Sequence, residues 1–187
     1  LNPRELLGLT ATPERSDGAP ILSWFDDRIA AELRLWDAID QHRLVPFSYF
    51  GVHDGTDLRA IPWKRGRGYE IDELNRLYTG NDVWANLVLN HLRRKGPDYD
   101  SLKALGFCVS VEHATFMAHV FQRASVPAVA VSASTPSADR AKALNDLERG
   151  DLKVVFAVDL FNEGVDIPSV NTLLMLRPTD SALLFQQ

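Results

Sequence analysis

Only one cysteine, Cys108, occurs in the 187-residue sequence, and it lies inside an apolar run. A single thiol excludes an internal disulfide and any cysteine-based zinc site, and a reducing cytoplasm is the expected compartment. Positive charge is also scarce: the net charge is −5, so the chain does not coat nucleic acid through bulk electrostatics and any such contact must be local. No apolar stretch approaches the roughly 20 residues that span a bilayer, and no basic-then-apolar leader opens the chain. Histidines are few, and His113 and His119, six positions apart, would not share a helical face, so no bound metal is expected. The sequence also lacks a G-x-x-x-x-G-K-[ST] phosphate loop and a strand-end acidic pair for magnesium. Asp72-Glu73-Leu74-Asn75 is the nearest approach to the latter, but it reads as the start of a helix.

What is present suits a folded domain. Hydrophobic residues make up 45% and charged residues 24%, which is ordinary globular composition. The chain starts at Leu1 and stops at Gln187 in what reads as mid-helix, so a piece of a longer protein is expected. Three regions are expected: 1–46, 47–100 as a connector, and 101–187. In the last, short apolar runs alternate with amphipathic stretches, the pattern of a parallel α/β sheet covered by helices on both faces. Strands are expected at 107–111, 128–131, 154–158 and 172–176, the last two buried on both faces. A helix at 112–124 carries Ala114, Met117, Ala118 and Phe121 at helical spacing. A second helix is expected to start with Thr135 as N-cap and Pro136 at its first position, and to end near Gly150. Further helices are expected near 29–39 and across 71–94. Gly66-Arg67-Gly68 reads as a flexible basic loop with no strand before it, and Trp24, Trp36, Trp63 and Trp84 read as packing residues.

The segment after Val158, Asp159-Leu160-Phe161-Asn162-Glu163-Gly164-Val165-Asp166-Ile167-Pro168, would leave the carboxyl edge of the sheet, where open α/β folds bind ligands. A glycine there lets backbone amides approach a phosphate, and a carboxylate accepts ribose hydroxyls or orients an arginine. The residues alone leave a second reading open, a turn in which Gly164 relieves strain and Asp166 caps an amide.

Leu9-Thr10-Ala11-Thr12-Pro13-Glu14-Arg15 resembles motif III of superfamily 2 helicases, 107–113 resembles motif IV, Glu163-Gly164-Val165-Asp166-Ile167-Pro168 resembles motif V, and Phe185-Gln186-Gln187 resembles the opening of motif VI. They stand in the family's order, and the wording is similar to that of bacterial helicases related to type III restriction-enzyme and excision-repair motors. The resemblance implies a RecA-like second motor lobe over 101–187, a first-lobe tail over 1–46, and a parent that hydrolyses ATP with Mg2+. It further implies that Asp166 and Gln186 take part in catalysis, that Thr10 and Thr12 couple the two lobes, and that Ser110, Ser132, Thr135 and Gly164 grip nucleic acid, DNA before RNA. The chain by itself is expected to be inactive, because phosphate loop and magnesium acids belong to the missing first lobe. The alternative is a non-catalytic nucleic-acid-binding or regulatory module on the same fold.

Overall fold

The computed structural model describes residues 4–10, 21–64, 68–158, 160 and 167–178. The chain divides after Gly51 into two compact units. Among the described residues of the first, a short 3-10 turn spans Leu22–Phe25 and one helix, α1, spans Leu35–Asp40, shorter than the 29–39 periodicity predicts. Trp36 stacks on Phe47 with ring centroids 5.9 Å apart, and Ala38 is buried.

The second unit, Val52–Asp180, holds the sheet. Its opening segment pairs two-residue strands, β1 (Trp63–Lys64) and β2 (Gly68–Tyr69), in antiparallel register. A strand therefore does precede the Gly66-Arg67-Gly68 segment, of which Gly68 opens β2 while Gly66 and Arg67 lie outside the described residues. Two helices follow instead of one continuous helix over 71–94: α2 (Ile71–Tyr78) and α3 (Asp82–Lys95). The break is chemical. Gly80 adopts a left-handed φ of +78°, and the Asn81 side chain caps α3 by accepting the Trp84 N–H at 3.0 Å.

The remaining elements are β3 (Ala104–Phe107), α4 (Val111–Arg123), β4 (Ala128–Val131), α5 (Ser137–Arg149), β5 (Val154–Ala157) and β6 (Thr172–Met175). The four longer strands run parallel in the order β4-β5-β3-β6. Period-two alternation divides their side chains between two cores. Ala104, Ala128, Val154 and Phe156 face α2, α3 and α4, which contribute Leu74, Tyr78, Leu89, Met117 and Phe121. Leu105, Val131, Val155 and Ala157 face α5, which contributes Ala143 and Leu147. Helices thus cover both faces, the RecA-like α/β class expected, and residues 71–95, read as connector, line the first core.

Two expectations are corrected. The first strand lies at Ala104–Phe107, not 107–111, because Ser110 caps α4 through its side chain and so ends extended structure before Val111. β6 is not buried on both faces: Leu173 and Met175 are 60% and 38% exposed, since β6 has a neighbour only in β3 among the described strands. β5, flanked by β4 and β3, is buried throughout, as its unbroken apolarity predicts.

Candidate nucleic-acid interface at the carboxyl edge of the sheet

Because β3, β4, β5 and β6 are parallel, the loops after Phe107, Val131, Ala157 and Met175 leave from one edge. Ser110, Ser132 and Thr135 lie in two of these loops. Gly164 and Asp166 belong to the segment that starts after Val158, and they fall outside the described residues, as do Thr12 and Gln186. Thr10 is exposed in the first unit.

The β3–α4 loop is tightly bonded. Cys108 extends the ladder by donating its N–H to the Ala157 carbonyl at 2.9 Å. The Ser110 hydroxyl accepts the His113 N–H at 3.0 Å, the geometry of an N-cap, and donates to Asn75 Oδ1 in α2 at 2.6 Å. His113 Nδ1 accepts the Val109 N–H at 3.3 Å, while its Nε2 is buried without a hydrogen-bond partner. Burial lowers the His113 pKa to about 4, so the ring is neutral at physiological pH. Burial pushes the Cys108 thiol far up, which removes thiolate chemistry from this edge.

The β4–α5 loop closes on itself. Thr135 Oγ1 accepts the Ser132 N–H at 2.9 Å, the Thr135 N–H donates to the Ser132 carbonyl at 3.0 Å, and the Ser132 and Ser134 hydroxyls lie 2.8 Å apart. Thr135 therefore does not cap α5. Pro136 holds an extended ψ of 144°, helical geometry starts at Ser137, and no side chain caps it, because the Thr135 hydroxyl is used on the strand-end amide.

A cavity of about 230 Å³ opens beside the end of β6, lined by Asp54, Thr56, Tyr78, Trp84 and Arg177 among others. Asp54 Oδ2 accepts the Trp84 indole N–H at 2.6 Å, and Oδ1 accepts the Thr56 N–H at 2.9 Å. Burial acts to raise the Asp54 pKa, but hydrogen bonds from Trp84 and Thr56 outweigh it and hold the carboxyl below its ordinary range. Burial, with Asp54 nearby, pushes the Tyr78 phenol up to about 12.

Ser110, Ser132 and Thr135 thus share one edge, with their hydroxyls engaged inside the protein. Sequence reasoning missed Asn75, whose tetrapeptide carried an acidic-motif likeness only, and His113, weighed only as a metal ligand. Asn75 has no local signal, because its link to Ser110 is fixed by packing 35 positions away, whereas His113 bonds locally, to Val109 and Ser110. Among the described residues no cluster of three metal-binding side chains occurs, and no helix is long and apolar enough to cross a membrane.

Comparison with known proteins follows the same lines. Over 97% of its length the chain is 32% identical to a 51.5 kDa protein of a Lactococcus phage (isolate 7-9) and spans 38% of that relative. It is 25% identical to the putative ATP-dependent helicase IRC3 of Saccharomyces cerevisiae over 97% of the chain, and spans 26% of it. Among solved structures, the Pyrococcus furiosus Hef helicase domain aligns over 62% of this chain and 22% of its own, with 19% identity and a TM-score of 0.43. The family model for the helicase conserved C-terminal domain matches residues 88–187, which takes in β3 to β6 and their carboxyl-edge loops, and the chain belongs to that family.

Proposed function

We propose that this chain supplies the second motor lobe, with the tail of a first lobe over 1–46 and a connector over 47–100 whose helices α2 and α3 pack on that lobe's sheet, of an ATP-dependent helicase or translocase. One observation carries the reading: a family match to the helicase C-terminal domain runs through a parallel sheet whose carboxyl edge collects the motif IV loop and the point where the chain leaves β5. Nucleic acid, DNA before RNA, would run along this edge, held by backbone amides and by local groups at Ser110, Ser132, Thr135 and Gly164 instead of by bulk positive charge. The parent would work in the cytoplasm.

ATP and Mg2+ would be held chiefly by another lobe, since this sequence carries no phosphate loop and the described residues offer no metal cluster. Bound there, the nucleotide supplies the free energy of phosphoryl transfer. This chain's part is to place Asp166 and Gln186 beside it, and to couple nucleotide state to lobe contact through Thr10 and Thr12. Closure of two lobes is thus required for turnover, and the chain alone is inactive.

The test is steady-state ATPase activity of the full-length parent, with and without single- and double-stranded DNA and RNA. Stimulation by one nucleic acid, abolished by Asp166→Ala, is expected and identifies the track. Absence of hydrolysis under every condition overturns the motor reading in favour of a non-catalytic module, and magnesium-dependent turnover by the isolated chain overturns the division of labour.

A further inference from the structure

Asn75 lies half-buried in α2, upstream of the matched family segment, and its side chain reaches 35 positions along the sequence to the motif IV loop. Its Oδ1 accepts two hydroxyls, Ser110 Oγ at 2.6 Å and Thr79 Oγ1 at 2.6 Å. Beyond Ser110 the bonding continues: its oxygen accepts the His113 N–H, and His113 Nδ1 accepts the Val109 N–H. Asn75, Ser110, His113 and Val109 form one connected set that joins α2 to the strand end and to the first turn of α4.

A hydroxyl has one proton. That of Ser110 is given to Asn75, and Ser110 is only 9% exposed. To donate to a phosphate it would have to give up a buried hydrogen bond and leave Asn75 Oδ1 short of one donor, at a cost comparable to what a hydrogen bond to the phosphate contributes. We infer that Asn75 is a positioning residue for nucleic-acid binding: it holds the Ser110 hydroxyl inward so that the β3–α4 loop meets the strand through its backbone. This rests on the nucleic-acid reading above. Both bonds to Asn75 are accepted by Oδ1, so a side chain that only accepts, aspartate, preserves the set, whereas alanine removes it.

The experiment measures the dissociation constant of the full-length parent for fluorescein-labelled single-stranded DNA and RNA oligonucleotides by anisotropy, for the parent, Asn75→Ala, Asn75→Asp, Ser110→Ala and the Asn75→Ala/Ser110→Ala double variant. A melting temperature for each reads folding separately, and Asn75→Ser replaces Asn75→Ala if the latter does not fold. Expected are weakening by about tenfold in each alanine variant, near-parental binding in Asn75→Asp, and a double variant no weaker than either single one, because both remove one connected set. Parental affinity in a folded Asn75→Ala protein, or additive losses in the double variant, overturns the role of Asn75 while leaving the nucleic-acid reading intact. A parent that binds neither oligonucleotide overturns that reading and the role of Asn75 with it.

Discussion

The His113 imidazole lies nearly parallel to the Tyr78 ring, with centroids 5.5 Å apart and planes inclined by 16°. Trp84 closes the same cluster with its centroid 5.5 Å from the imidazole. A cation here would have no water around it, and its pKa falls from 6.5 to about 4 in the folded chain. The unfolded chain then binds one more proton between those values, so stability falls as pH drops from about 6.5 to about 4, and this loss is complete below the lower value. Asp54, whose folded pKa is also depressed, adds its own loss only below its ordinary value of 3.8. Urea melts across this range are expected to show the slope in the parent and a reduced slope in His113→Asn, which keeps an acceptor for Val109. An equal slope in both proteins rules His113 out as its source.

Gly106, in the middle of β3, is there for space. A Cβ would stand 2.4 Å from Phe156 Cδ1 and 2.7 Å from Cε1 in the fully buried centre of the sheet. Gly106→Ala should therefore destabilise the chain by about 1–3 kcal/mol through overpacking. Adding Phe156→Leu should recover part of that loss, since both changes act on one contact. A denaturation midpoint unmoved by Gly106→Ala would mean that Phe156 yields freely.

Gly150 is there for its backbone. It closes α5 at φ +85°, donating its N–H to the Leu147 carbonyl at 3.1 Å, while the nearest atom to an added Cβ, Lys153 Nζ, is 3.8 Å away. The space is open and only the left-handed conformation resists, so Gly150→Ala should cost about 1 kcal/mol. Gly150→Asn, which tolerates that conformation better, should cost less. Thermal midpoints of the two variants decide it.

Trp84→Phe keeps the aromatic packing on Tyr78 and His113 but removes the donor to Asp54. Asp54 is exposed enough for water to replace the indole, so the expected loss is about 1 kcal/mol, below the usual figure for a bond to a charged group. Asp54→Asn retains an acceptor and should lose less. A larger loss in Asp54→Asn than in Trp84→Phe would show that the charge, and not the hydrogen bond, matters at this position.

Apolar run lengths and helical spacing were enough to place a parallel α/β sheet within 101–187, because strand and helix periodicities are properties of neighbouring residues. The unbroken apolarity of Val154–Ala157 and the spacing of Ala114, Met117, Ala118 and Phe121 are legible without a partner. The motif wording likewise marked the strand-end loops, two of which the structure brings to one edge at Ser110 and at Ser132 to Thr135. Tertiary structure alone decided the rest. Whether an apolar strand is buried on one face or two depends on its place in the sheet, so β5 and β6 look alike in sequence and differ in exposure. The start of α4 depends on a Ser110 hydroxyl shared with Asn75 on another helix, and Leu74, Tyr78, Trp84 and Leu89 joined the core because their faces meet Met117 and Phe121. Those pairings join residues tens of positions apart, and no local pattern encodes them: they exist only once the chain has closed on itself.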